Sequence, residues 1–150
     1  MAHSYSQLFI HLVWSTKNRE PFITSEIKPR LYGYIRKVLE DKKCSLFTIN
    51  GMPDHVHILL NLPSTIGLSE LLRHLKTTSS KWMHQTFPES KNFSWQDGYG
   101  AFSVGISQLK QVSSYIENQE KHHQKRNFDE EFVYFLKCQN ISFDSRFVLG

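Results

Sequence analysis

Apolar and polar positions divide this chain into stretches of period two and stretches of helical period. From Tyr5 to Thr16, Leu8, Ile10, Leu12 and Trp14 alternate with Phe9, His11 and Val13. Side chains two apart on a strand share a face, so the pattern predicts a strand covered on both sides over much of its length. Lys17-Asn18-Arg19-Glu20-Pro21 ends it as a loop. Thr24 or Ser25 can cap a first helix, in which Ile27, Leu31, Tyr34 or Ile35, Val38 and Leu39 recur at helical spacing to about Lys42. Pro29 falls in its first turn, where proline is tolerated. Cys44 to Ile49 reads as a strand, and Asn50-Gly51 with Pro53 reads as a turn into a short apolar strand, Val56 to Leu60.

Pro63-Ser64-Thr65 breaks the chain before a second amphipathic helix. That helix starts at about Leu68, carries Leu71, Leu72, Leu75 and Trp82, and reaches about Phe87. A loop rich in polar and aromatic residues precedes a strand over Ala101 to Ile106. Gln108 to Gln124 is predicted as a third helix with Leu109, Val112 and Ile116 as its packing stripe. Phe128 to Gln139 is predicted as a fourth, with Phe132, Phe135 and Leu136 inward. The tail residues Ile141, Phe143, Phe147 and Val148 are apolar enough to dock. Strand, helix, hairpin, helix, strand is the order of the ferredoxin-like βαββαβ arrangement, an α+β fold. Its helices are expected on one face of an antiparallel sheet, with the later helices added to it.

Composition narrows the picture modestly. The 150 residues suit one domain, 1–150, and 39% apolar with 21% charged content is globular. The net charge of +4 and pI near 9.1 suit an anionic partner without proving one. Cys44 and Cys138 are isolated, which points to packed thiols in a reducing, cytoplasmic setting. No apolar leader and no run long enough for a membrane span is visible.

Candidate chemistry begins at His55-Val56-His57. On a strand the two imidazoles point the same way, about 6.5 to 7 Å apart along the chain, and can reach one metal ion if a third ligand comes from elsewhere. Asp54 can orient the His55 imidazole or cap the turn. In the third helix, Tyr115 stands off the apolar stripe, in a polar row with Gln111, Gln119 and His122. Two histidines plus the Gln119 oxygen would make a three-ligand divalent site with open positions, as a catalytic metal requires. A phenol beside it can attack phosphorus, and it is also an acceptable leaving group, so the step is reversible without ATP. Its ordinary pKa of about 10 means it needs nearby positive charge or a base.

Four segments carry a family resemblance: His11 to Lys17, Met52 to His57, Trp95 to Val104, and Tyr115 to His123. In this order they resemble the HUH single-tyrosine transposases of bacterial insertion sequences, which include the REP-associated tyrosine transposases. The resemblance spans nearly the whole chain. It implies His55, His57 and Gln119 as metal ligands and Tyr115 as the nucleophile. It also implies a divalent metal (Mg²⁺ or Mn²⁺), a 5′-phosphotyrosine intermediate with a free 3′-hydroxyl, recognition of hairpins in single-stranded DNA near element ends, and an obligate homodimer whose tyrosine helix can complete the partner subunit's site. Imidazole ligands alone rank Mn²⁺ above Mg²⁺.

Single-stranded DNA needs a basic groove and aromatic platforms. Arg73, Lys76 and Lys81 on the second helix, with His84, are the first candidate face, and Lys17 and Arg19 a second. Trp95 and Tyr99 can stack on bases or anchor packing, and His122 and His123 can touch phosphate or support a ligand. Two other readings suit the same strand order. One is an RRM-like, non-catalytic nucleic-acid-binding module, and the other a metal-dependent phosphodiesterase using activated water.

Overall fold

A computed structural model of the chain describes residues 3–123 and 126–146. The elements are β1 (Phe9–Ser15), α1 (Ile27–Asp41), β2 (Ser45–Met52), β3 (His55–Asn61), α2 (Leu68–Thr86), β4 (Gly100–Val104), α3 (Leu109–Glu117), α4 (Gln119–His122) and α5 (Phe128–Cys138). The four strands form one antiparallel sheet in the order β2-β3-β1-β4. This is the ferredoxin-like order, and the α+β expectation holds.

One face of the sheet presents Leu12, Trp14, Val56, Ile58 and Leu60. They pack on Ile27, Leu31 and Ile35 of α1 and on Leu71, Leu72 and Leu75 of α2, the stripes that the spacing predicts. The later helices cover the opposite face. Phe9 and Leu59 pack on Ile116 of α3, and Val13 and Phe102 pack on Phe128, Phe132 and Leu136 of α5. The two-sided apolar pattern of β1 is the cause, because a second apolar sheet face requires a second helical layer. Each of these α5 side chains contributes about 1.5–3 kcal/mol on burial, enough together to seat a helix that also carries a fully buried Glu131.

The hairpin turn differs from the predicted one. β2 runs on through Asn50 and Gly51 to Met52, which pairs with His55, so Pro53-Asp54 makes the turn. Gly51 serves close approach of two strands instead: a Cβ there would lie 2.2 Å from the His55 carbonyl oxygen. The predicted third helix is also interrupted. Asn118, with φ −102° and ψ 29°, ends α3, and α4 restarts at Gln119. The Asn118 side chain donates to Ser114 O, offering the backbone a local alternative to the helix ladder.

Cys44 is buried as expected, whereas Cys138 at the end of α5 is exposed. In the tail, Ile141 and Phe143 are exposed, and Phe147 and Val148 lie outside the described residues. Among the described residues no helix is long and apolar enough to cross a membrane.

Candidate metal centre and nucleophile

β3 begins at His55, directly after the turn, and its period of two places His55 and His57 on the face covered by α3 and α5. Both are fully buried, with ring centroids 5.2 Å apart. His55 Nδ1 lies 2.7 Å from Asp54 Oδ1, so Asp54 orients the imidazole. His55 Nε2 lies 2.9 Å from Gln119 Oε1. His57 Nδ1 meets His11 Nε2 of β1 at 2.8 Å, and His57 Nε2 meets Glu131 Oε1 of α5 at 2.8 Å. Metal-binding atoms of His55, His57 and Glu131 all lie within 4.8 Å of one another.

β2 holds the tyrosine helix against this cluster. Asn50 Nδ2 donates to the carbonyls of Ile116 and Glu117 at 3.0 and 3.1 Å, satisfying acceptors left over at the end of α3. Thr48 and Ser113 hydroxyls bond at 2.8 Å. The Tyr115 hydroxyl donates to Glu131 Oε2. Its ring stacks on His122 at 4.2 Å and lies 6.0 Å from the His57 ring. The helix break at Asn118 lets Gln119 turn into the same space, where it is fully buried.

Burial keeps the His57 and His11 imidazoles neutral. Burial, helped by the neighbouring His55 and His123 and opposed by Glu131, lowers His57 to about 4. Burial, with His57 adding to it and Glu131 opposing, lowers His11 to about 3. Both are therefore neutral near pH 7, and each offers one lone pair. Burial alone would raise the Glu131 carboxyl, but His123 and His57 reverse this and hold it well below the usual carboxylate range. Burial, then the charge of Glu131 and its hydrogen bond, push the Tyr115 phenol up. It is therefore protonated near pH 7.

The donor set fits a divalent cation. His55 faces an acceptor on each side: the Asp54 carboxylate at Nδ1 and the Gln119 amide oxygen at Nε2. Turning the amide over would set its oxygen against the Glu131 carboxylate, to which Gln119 Nε2 now donates at 3.3 Å. His55 Nε2 and Gln119 Oε1 therefore face each other, and both could serve as donors to one divalent cation. With Mn²⁺ or a similar ion the donors would be His55, His57 and Gln119.

The predicted site residues His55, His57, Tyr115 and Gln119 are thus brought together in one chain. The basic residues are spread more widely. Arg19 pairs with Asp129 at 2.7 Å and lies 6.0 Å over Phe128, whose ring is 4.9 Å from His55. Arg19 and the nearby exposed Lys17 therefore flank the histidine end of the sheet. Arg73 and Lys76 line a groove of about 360 Å³ between α2 and the loop bearing Asp97 and Tyr99, on the far side of the sheet. Lys76 Nζ donates to Gly98 O at 2.8 Å, and burial, opposed by Asp97, lowers its pKa to about 8. Lys81 is exposed further along α2. Trp95 is buried, with its indole donating to Ser79 at 2.9 Å, so it is a packing anchor.

Sequence reasoning did not single out His11 or Glu131. Glu131 left a trace: it sits at helical spacing between Phe128 and Phe135, a carboxylate inside an apolar stripe. His11 shares its face of β1 with Val13, but its meeting with His57 depends on β1–β3 register.

Residues 4–119 match the family described as IS200-like transposase. The ISDra2 transposase TnpA of Deinococcus radiodurans is 28% identical over 118 residues, covering 75% of this chain and 84% of that protein. The transposase for insertion sequence element IS200 of Salmonella typhimurium is 27% identical over 124 residues, covering 79% of this chain and 81% of that protein. A crystal structure from Deinococcus radiodurans superposes with a TM-score of 0.66 at 28% identity, covering 79% of this chain and 96% of that one. The structure of a REP-associated tyrosine transposase bound to a REP hairpin has the same fold, with a TM-score of 0.60 at 21% identity, covering 81% of this chain and 73% of that one. With a histidine pair, a tyrosine helix and a sheet of this order, the chain belongs to the IS200-like family of single-tyrosine HUH transposases.

Proposed function

We propose that the protein cleaves and rejoins single-stranded DNA at insertion-sequence ends, with Tyr115 as nucleophile and His55, His57 and Gln119 as ligands of a divalent metal. The observation that carries this reading is the approach of the Tyr115 phenol to the histidine pair inside one chain, with its ring 6.0 Å from that of His57. The metal, Mn²⁺ or Mg²⁺, would supply Lewis-acid polarisation of the scissile phosphate. Tyr115 oxygen forms a bond to phosphorus, the bond to the 3′-oxygen breaks, and a 5′-phosphotyrosine and a free 3′-hydroxyl result. Tyr115 loses a proton and the departing oxygen gains one, so the step is proton-neutral overall. Reversal by another 3′-hydroxyl rejoins DNA.

His122 and Phe135 hold the phenol ring from two sides, which limits its motion before attack. Lys17 and Arg19 would hold phosphates near the histidines, and Arg73, Lys76 and Lys81 those further away. The REP hairpin in the structurally similar transposase supports a hairpin-bearing DNA partner here. A homodimer would hold two such sites, each with its own tyrosine.

The test is incubation of the protein with short single-stranded oligonucleotides and Mn²⁺, read on a denaturing gel. A covalent protein–oligonucleotide band is expected for the parent chain and is absent for Tyr115→Phe, which still binds DNA. An adduct that survives in Tyr115→Phe removes Tyr115 as the nucleophile. Cleavage with no adduct points to activated water instead, and chelator-insensitive binding without cleavage points to a non-catalytic module.

A further inference from the structure

Glu131 reaches the centre from α5, beyond residues 4–119 that match the family. Its side chain is fully buried. The side chains it contacts among the described residues are His57, His55, His123, Tyr115 and Gln119, at 2.8, 3.6, 3.3 and 3.3 Å for the three imidazoles and the amide in the order His57, His55, His123, Gln119. None of these carries a permanent positive charge. A buried carboxylate without a cation is strongly unfavourable, and such groups are paired or coordinate metal. His123 at 3.3 Å and the hydrogen bonds from His57, Tyr115 and Gln119 hold the carboxylate in place, and a bound cation would meet its charge directly.

We propose that Glu131 is a further ligand of the metal in this chain, binding through Oε1 while Oε2 holds the Tyr115 hydroxyl. The proposal rests on the metal reading above. Donors about 2.1 Å from one ion stand about 3.0–3.4 Å apart, depending on geometry. The separations of 2.8 Å from His57 Nε2 to Glu131 Oε1, 2.9 Å from His55 Nε2 to Gln119 Oε1 and 3.6 Å from His55 Nε2 to Glu131 Oε1 bracket that spacing. The centre is therefore a mixed site of two imidazoles, one amide and one carboxylate. The anionic ligand offsets one of the two positive charges of the ion and ties the nucleophile to it through a single side chain. In this reading α5 is part of the metal centre, not an appendage.

Titration with Mn²⁺ in the absence of DNA, followed by electron paramagnetic resonance, tests this without recourse to activity. Loss of a supporting partner of a metal ligand weakens affinity about 10–100-fold, and loss of a ligand should do at least as much. Glu131→Gln is expected to weaken Mn²⁺ binding at least about tenfold, with an unchanged circular dichroism spectrum. Glu131→Asp, which restores a carboxylate, should recover part of the loss. Coupling from histidine nitrogen to the bound ion should persist in Glu131→Gln, which separates loss of one ligand from collapse of the site. If Glu131→Gln binds within about twofold of the parent while His57→Ala does not bind, Glu131 is not a ligand and the metal reading stands. If His57→Ala binds as tightly as the parent, the ion lies elsewhere and both readings fall.

Discussion

The Tyr115 hydroxyl on α3 donates its hydrogen bond to Glu131 on α5, so one chain contributes both the phenol and the carboxylate that holds it at the histidine pair. This relationship predicts that the tyrosine acts in its own subunit. Mixing Tyr115→Phe with His57→Ala protein should yield no more covalent adduct than either variant alone. Recovery of adduct in the mixture would show the phenol working across a subunit boundary.

Acid should destabilise the fold from the histidine side first. His57 and His11 are lowered from 6.5 to about 4 and about 3, so the unfolded chain takes up protons that the folded chain refuses. Stability from these groups is present above about pH 6.5 and is lost as pH falls through that value toward 4. The buried, ionised Glu131 adds a loss below its ordinary carboxyl range. The combined loss is on the order of a few kcal/mol. Thermal melts between pH 8 and 4 without metal should show a plateau above 7 and a steep fall below 6.5. A melting temperature that rises on acidification contradicts neutral buried imidazoles.

Metal should stabilise the folded chain. Binding to the native state alone adds about 2.7 kcal/mol at one hundred times the dissociation constant. For a chain of 150 residues this is a rise in melting temperature of roughly 5–10 °C. Mn²⁺ should produce it, a chelator should reverse it, and His55→Ala should abolish it. An equal shift in His55→Ala would place the ion outside the centre.

Asn50 ties the end of the tyrosine helix to β2. Asn50→Ala removes two hydrogen bonds, each worth about 0.5–1.5 kcal/mol net. A loss of about 1–3 kcal/mol in urea unfolding is expected, with the slope unchanged and adduct formation reduced. If stability holds and adduct formation is undiminished, Asn50 is not what positions α3.

Gly51 lies where a Cβ would be 2.2 Å from His55 O and 2.9 Å from Val56 Cα, both backbone atoms that cannot swing aside. Gly51→Ala should cost at least about 1–3 kcal/mol and shift His55. Lower melting temperature together with weaker Mn²⁺ binding is the expected pair of results. Normal stability would mean that β2 and β3 separate more easily than their register suggests.

The shared face of the two histidines was legible in the sequence because period two is a property of one strand's covalent geometry. The packing stripes of α1 and α2 were legible for the same kind of reason. The turn was misplaced because Asn50-Gly51 has turn chemistry, yet Gly51 answers a steric demand from a neighbouring strand. The break at Asn118 was hidden because the apolar spacing runs on toward it while a side-chain hydrogen bond to Ser114 O competes with the helix.

By itself, then, the sequence determined the strand and helix order, the paired imidazoles, the tyrosine off its stripe and the family. Tertiary structure alone decided what meets those imidazoles. His11 lies 46 residues from His57 along the chain and Glu131 lies 74 residues from it. Their contacts depend on β1–β3 register and on α5 docking over Val13 and Phe102, and no local periodicity encodes either.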